Sequence, residues 1–210
     1  MGYKIIDSSQ IEKIEMEDCD VEVIMPFISS AKALKTVEQL INRAELPCNM
    51  ICIYDENREG FVSIINRAFK SSKSPYFVYL AEDAFAGRAW LKNAMYSIQA
   101  LDGGLLAFND GKWFGELAAF GLVSRKWACQ NYSGNLFFPK YNSHFADVEL
   151  SLIARYQNKL VYHPDALLVE IDYDKENKPV NKFDKLLFKN RKINGFDNQV
   201  ASEKLLKAFE

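Results

Sequence analysis

The chain has 210 residues, enough for one domain with a sizeable core. Hydrophobic residues make up 49% of it, which excludes a disordered chain, and no apolar run approaches the ~20 residues of a membrane helix. The formal net charge of -2 gives no global field for a nucleic-acid backbone or an anionic lipid surface, so a nucleic-acid partner is not expected, although a local basic patch stays open.

The opening "MGYKIIDSSQIEK" has no basic stretch followed by an apolar one, so no signal peptide is expected. A myristoylation start would want Ser or Thr where Ile6 stands. The expectation is a soluble, cytoplasmic chain, with peripheral attachment to the inner face of a membrane left open. Cys19, Cys48, Cys52 and Cys129 match no zinc or redox spacing. Cys48 and Cys52 lie along one expected strand, roughly 13 Å apart at ~3.3 Å per residue, too far for a disulfide. Free thiols in a reducing compartment are the plain reading.

"VEVIMPF" reads as a first strand, stopped by Pro26. "SSAKALKTVEQLINRAEL" follows as a helix with Leu34, Val37, Leu40, Ile41 and Ala44 on one face, capped by Ser29 or Ser30. "NMICIYDEN" is a second strand ending in Asp55, Glu56 and Asn57, and "EGFVSIINRAFKSS" a second helix. "PYFVYL" is the third strand; it runs into Glu82 and Asp83, and "RAWLKNAMYSIQAL" is the third helix. Strand–helix alternation argues for an α/β fold with a mostly parallel central sheet flanked by helices. Right-handed crossovers put the strand ends on one edge, where ligands of open α/β sheets bind, and Asp55 and Asp83 both sit there.

The second half is less regular. "GGLLAF" and "LAAFGLV" look like strands around a turn at Asn109, Asp110 and Gly111. "CQNYSGNLFFPKYNSHF" reads as an aromatic loop, "DVELSLIARYQ" as a short helix, and "KLVY" and "ALLVEI" as two strands. From Asp172 the composition shifts to the polar "DYDKENKPVNK", then to a basic helical tail broken near Asn194-Gly195. The expected division is a domain over 1–172 and a linker with tail over 173–210, packed on the domain or extending from it.

The turn after the first strand, "PFISSAKA", has no glycine, and a Walker loop is absent, which argues against a Rossmann dinucleotide site. A nucleotide bound at this edge would need its phosphates neutralised another way, and a divalent cation held by carboxylates is the obvious substitute.

The order of a strand with Pro near its end, helix, strand ending in acids, helix, strand ending in "AED" and then "WL" resembles the nucleotide-sugar half of GT-A-fold glycosyltransferases, especially the family-2 type. "FADVELSLIARYQNKLVYHPDALLVEI" over 145–171 is similar to that family's pattern of an acidic pair, a helix, a turn and "P-D-A" before a strand. The match spans about residues 20 to 172.

The resemblance implies a nucleoside-diphosphate sugar donor of UDP or GDP type, Mn²⁺ or Mg²⁺, and a glycan, lipid-linked or other hydroxyl acceptor. It implies that Asp55 contacts the base and that Asp83, with Glu82 beside it, stands where the D-x-D motif binds metal and diphosphate. Asp147 stands at the general base. The first D-x-D position is Ala81, and the acid often found before the catalytic Asp is Ala146. Where the family often has a metal-binding His, Glu170 is nearest and Asp172 lies beyond it. Glu82 and Asp83 are then expected to be unpaired without donor and metal.

Plainer roles compete. Asp147 begins a helix and would serve as its N-cap. Asp83 alone is a turn residue and Asp55 a solvated loop acid. His144 lies close enough in sequence to Asp147 to line an acceptor cleft. The lysine-rich tail reads as a solvated face, or as a face that docks an anionic acceptor or membrane. Rival functions are a non-catalytic sugar-nucleotide-binding protein, a nucleotidyltransferase, and a glycosyltransferase acting on nucleic acid.

Overall fold

The computed structural model describes residues 2–14, 19–171 and 180–209. The strands are β1 (Tyr3–Asp7), β2 (Val21–Phe27), β3 (Asn49–Tyr54), β4 (Tyr76–Tyr79), β5 (Ala84–Ala86), β6 (Leu105–Asn109), β7 (Gly121–Ser124) and β8 (Leu160–Glu170). The helices are α1 (Ser30–Arg43), α2 (Phe61–Ser71), α3 (Trp90–Gln99), α4 (Arg125–Ala128), α5 (Ala146–Tyr156), α6 (Lys182–Ile193), α7 (Gly195–Asn198) and α8 (Glu203–Leu206).

The strands form one eight-stranded sheet in the order β1-β3-β2-β4-β7-β6-β8-β5. It is mixed, where a mostly parallel sheet was expected. β1, β3, β2 and β4 run parallel, and β6 and β8 run parallel to each other. β7 runs against both β4 and β6, and β5 against β8. The reason lies in the connections. Parallel neighbours need a crossover, which α1 and α2 supply. After β4 the alternation breaks: β4 reaches β5 through a turn closed by the Ala84 N–H donating to the Ala81 carbonyl at 3.1 Å, and after α3 β6 returns to β7 through a loop.

β2 has all seven residues buried, as a central strand covered on both faces should. Pro26 does not stop it. The Ile24 carbonyl faces β4 and accepts from Leu80, so Pro26, two residues on, faces the same side, where β4 has ended and no ladder bond is lost. The expected strands "KLVY" and "ALLVEI" are one strand, β8. It pairs with β6 from Leu160 to Tyr162 and again at Leu167, the register shifting across the "HPDA" stretch, and it pairs with β5 from Leu168. β1 and β5 were not expected. β1 is a half-exposed edge, and β5 has only three residues, too few for a period to show.

Two cores flank the sheet. One packs α1 and α3 through Val37, Leu40, Trp90 and Leu91. The other packs α2, α5 and the tail through Ile65, Phe69, Leu152 and Phe188. The short β5 would leave an open edge, but Gln39 covers it: its Nε2 donates to the Ala84 carbonyl at 3.0 Å and its Oε1 accepts from the Ala86 N–H at 2.9 Å. Among the described residues no helix is long and apolar enough to cross a membrane. Residues 172–179, which hold most of the expected linker, lie outside the described residues.

Candidate functional site

The strand ends of β2, β3 and β4 define one edge of the sheet. The Asp55 N–H donates to the Phe27 carbonyl at 2.9 Å, which fixes Asp55 beside the end of β2. Its carboxylate accepts from the Glu59 N–H at 2.8 Å and the Gly60 N–H at 3.1 Å. Asp55 is therefore buried and closes the loop that starts α2, rather than being a solvated loop acid. Gly60 has φ +92 and stands so close to Asn142 that a side chain would collide with it.

On the other flank of β2 stands Glu82. Its Oε2 accepts from the Ile28 N–H at 2.9 Å and the Ser29 N–H at 2.8 Å, and its carbonyl accepts from the Thr36 hydroxyl. The expectation that Glu82 is unpaired is thus corrected. Ser29 holds the N-cap position of α1 but makes no side-chain cap bond; Glu82 supplies a negative charge there instead. Asp83 is buried in the following turn, and its carbonyl accepts from the Ile171 N–H at 3.0 Å. That bond sets the end of β8 beside the turn. Ala84 pairs with Glu170, so the exposed Glu170 stands across from the residue that follows the buried Asp83. Asp172 lies outside the described residues. Among the described residues no group of three or more His, Cys, Asp or Glu side chains is assembled that could hold a metal ion.

Asp147 is the second residue of α5, half-buried. The expectation that it caps the helix is corrected: Phe145, with φ 67, holds the N-cap position. The Asp147 carbonyl accepts from the Ser151 hydroxyl, which in turn accepts from the Ala118 N–H at 3.0 Å. The Tyr79 hydroxyl donates to the Ala118 carbonyl at 2.8 Å. Burial, and after it the Asp147 charge, holds the Tyr79 phenol well above its ordinary pKa. The start of α5 therefore sits against the end of β4, the strand that leads to Glu82 and Asp83. Gly121 makes room for Tyr79, whose ring would collide with any side chain there.

The approach to α5 is held by Asp184 and Arg191, which sequence reading did not single out, and by Glu149, which it offered only as an alternative base to Asp147. Asp184 on α6 is fully buried and accepts from the N–H groups of Asn142, Ser143 and His144, each at 2.9 Å. The Asn142 carbonyl accepts from the Val62 N–H at 3.1 Å. Glu149 is fully buried and receives four bonds, from the Tyr132 and Tyr141 hydroxyls at 2.9 and 2.8 Å and from Arg191 at 2.8 and 2.7 Å. Burial opposes the Arg191 charge, but Glu149 and then Asp197 more than offset it and raise its pKa. The spacing of Asp184 and Arg191, two turns apart on one helix face, was the available signal.

In the aromatic loop Phe137 and Tyr141 are buried in the core, as is Trp127 of α4 before it. Phe138 lies under the Arg191 guanidinium at 3.3 Å, and Trp113 packs on Phe209. His144 is exposed. An open depression of about 640 Å³ lined by Arg88, Asn93, Asn109 and Asp165 contains none of the expected site residues.

No protein-family model matches the chain, and no curated protein sequence matches it. Solved structures do. S. aureus TarS in complex with UDP-GlcNAc superposes with a TM-score of 0.62 at 12% identity, over 89% of this chain and 68% of that one. The mannosyltransferase PcManGT from Pyrobaculum calidifontis, with GDP-Man and Mn²⁺, gives 0.56 at 12% identity over 88% and 66%. A mutant of the Drosophila β1,4-galactosyltransferase 7, with manganese, UDP-Gal and xylobiose, gives 0.57 at 13% identity over 80% and 79%. All three are GT-A-type glycosyltransferases, and this chain has the GT-A fold.

Proposed function

We propose that the chain transfers a sugar from a nucleoside-diphosphate sugar to an acceptor hydroxyl, with inversion at the anomeric carbon and with Mn²⁺ or Mg²⁺ at the diphosphate. The observation that carries this reading is that Asp55, the turn at Glu82 and Asp83, and the start of the Asp147 helix meet around the ends of β2, β3 and β4. The bound molecules of the solved neighbours, UDP-GlcNAc, GDP-Man and UDP-Gal, support the donor class.

Asp55 stands where the base would lie, already ordered by the amides of Glu59 and Gly60. Asp83 and Glu170 are hard oxygen donors on adjacent strand ends, which suits a cation that takes one or two carboxylates and completes its shell on phosphate oxygens. Such a cation, when bound, would neutralise charge on the leaving diphosphate. Glu82 acts through the β2–α1 turn that it holds. Asp147 accepts the proton of the acceptor hydroxyl as that oxygen attacks the anomeric carbon in line with the departing diphosphate.

The departures Ala81 and Ala146 favour a second reading, a sugar-nucleotide-binding protein without turnover; Ala146 is packed into the core, leaving no second acid at that place. Titration of UDP and GDP into the protein, followed by its melting temperature, tests the donor site. With Mn²⁺ one of them, at a hundred times its dissociation constant, adds ~2.7 kcal/mol. Asp83→Asn removes most of the metal-dependent part. Equal shifts in EDTA would sink the role of the cation, and donor binding without release of sugar or transfer would select the second reading.

A further inference from the structure

Helix α6 has two faces of different chemistry. Asp184, Phe188 and Arg191 turn inward and are buried. On the outside, Phe183 is 62%, Leu186 60% and Ile193 80% exposed. At 100° per residue these three fall within an arc of about 80°. Lys182, Lys185 and Lys189, all exposed, fill the arc beside it. The only acid of the helix, Asp184, is spent on the amides of Asn142, Ser143 and His144. The outward surface is therefore apolar along one strip and cationic along the next, on a chain whose formal net charge is -2.

We propose that this face of α6 docks on an anionic lipid surface. The apolar strip suits insertion at the boundary between headgroups and acyl chains. The lysines lie where their methylene stems can follow that boundary while the ammonium groups reach lipid phosphates. A folded protein partner fits less well. One strip of three side chains falls far short of the roughly 800 Å² per partner that a specific protein interface buries. A lipid surface needs no matching groove.

The position matters for the reaction, and this consequence rests on the proposed function. The α6 residue that holds the turn into the Asp147 helix is one residue from Phe183. A docked α6 brings the acceptor side of the site to the bilayer, which selects acceptors carried on a lipid.

The test is sedimentation of the full chain with vesicles of equimolar phosphatidylcholine and phosphatidylglycerol, and with phosphatidylcholine alone. Retention is expected on the anionic vesicles only, with release as salt is raised. The triple variant Lys182→Gln, Lys185→Gln, Lys189→Gln loses partitioning on the order of a hundredfold. The variant Leu186→Glu with Ile193→Glu loses retention while its lysines remain. All five positions face solvent, so an unchanged melting temperature shows that the fold is kept. Absence of retention, equal retention on neutral vesicles, or indifference to both variants overturns the proposal. So does a self-association that Leu186→Glu abolishes without any vesicle binding. The readout needs neither donor nor transfer, so it stands or falls separately from the reaction.

Discussion

The two halves of the site are built by different means. On the proposed donor side, Asp55, Glu82 and Asp83 are placed by backbone. Parallel strands β3 and β2 end together, with Phe27 opposite Tyr54, so Asp55 directly follows; β4 ends earlier, with Tyr79 opposite Ile24, and Leu80 and Ala81 carry the chain on to Glu82 and Asp83. On the proposed acceptor side, Asp147 sits on a helix whose approach is fixed by buried side chains from the tail. Asp184 holds the turn before α5, and Arg191 holds Glu149 within it. A ladder tolerates loss of any one side chain; a buried charged cluster does not.

The largest expected effect breaks that second device. Arg191→Met leaves the Glu149 carboxylate buried with two tyrosine hydroxyls and no countercharge, a loss of about 3–5 kcal/mol in urea unfolding. Adding Glu149→Gln should restore part of it. The matching change on the donor side, Arg67→Met, removes ion pairs to Glu12 and Glu59 whose side chains are 55% and 25% exposed, and should cost under ~1 kcal/mol. Equal losses at Arg67 and Arg191 would erase the contrast between the halves.

Next in size is Asp147→Asn. The residue is not the N-cap; as an acid in the first turn its charge contributes ~0.3–1 kcal/mol to the helix. Turnover should fall on the order of a hundredfold or more, with donor affinity kept. Near-normal turnover in a stable variant would move the base elsewhere. Glu149 is occupied by four donors, and Asp110 by the amides of Lys112 and Trp113, which leaves His144.

The same contrast explains what the sequence could reveal. The first three strands and helices repeat a local pattern, apolar runs of period two or less followed by helical stripes, and each boundary carries its own signal. The acids at the strand ends follow from that pattern. The tail does not, because Glu149 and Arg191 lie 42 residues apart, and a lysine-rich helix reads as solvated until Asp184 and Arg191 are seen to share its inner face. The role of Glu82 was equally hidden. Nothing local says that a carboxylate after β4 will take the amides of Ile28 and Ser29, 54 and 53 residues earlier.

Glu82→Gln sharpens the donor side. The amide keeps one acceptor oxygen for the two N–H groups and loses the charge near the start of α1, a cost of about 1 kcal/mol. Because the carboxylate is engaged with the turn, metal-dependent stabilisation by UDP or GDP should change much less than with Asp83→Asn. A loss equal to that of Asp83→Asn would make Glu82 a direct ligand.

The smallest effect lies at the opposite edge of the sheet, away from either site. Glu22 at the start of β2 is 0% exposed. Its Oε1 accepts from Asn49 at 3.0 Å, while its Oε2 is buried with no hydrogen-bond donor. Burial raises the pKa of this carboxyl above the ordinary 4.5, with the nearby Ser72 hydroxyl and after it the Arg125 charge opposing. A group whose pKa is raised by folding contributes its stability fully below the unfolded value and loses it as pH rises through the folded one. Glu22→Gln removes that loss. It should be more stable than the parent near neutral pH, by on the order of 1 kcal/mol, the scale of one unmet buried polar group, and should show no advantage below pH ~4. Arg125 does not depend on Glu22 for its place, since it donates to the carbonyls of Ser74 and Phe69 and stacks on the Phe69 ring. A variant less stable than the parent at neutral pH would mean that Glu22 is ionised there and that its attraction to Arg125 outweighs its burial. The edge without a ligand would then also rest on a buried ion pair, and the ladder alone would no longer account for the parallel half.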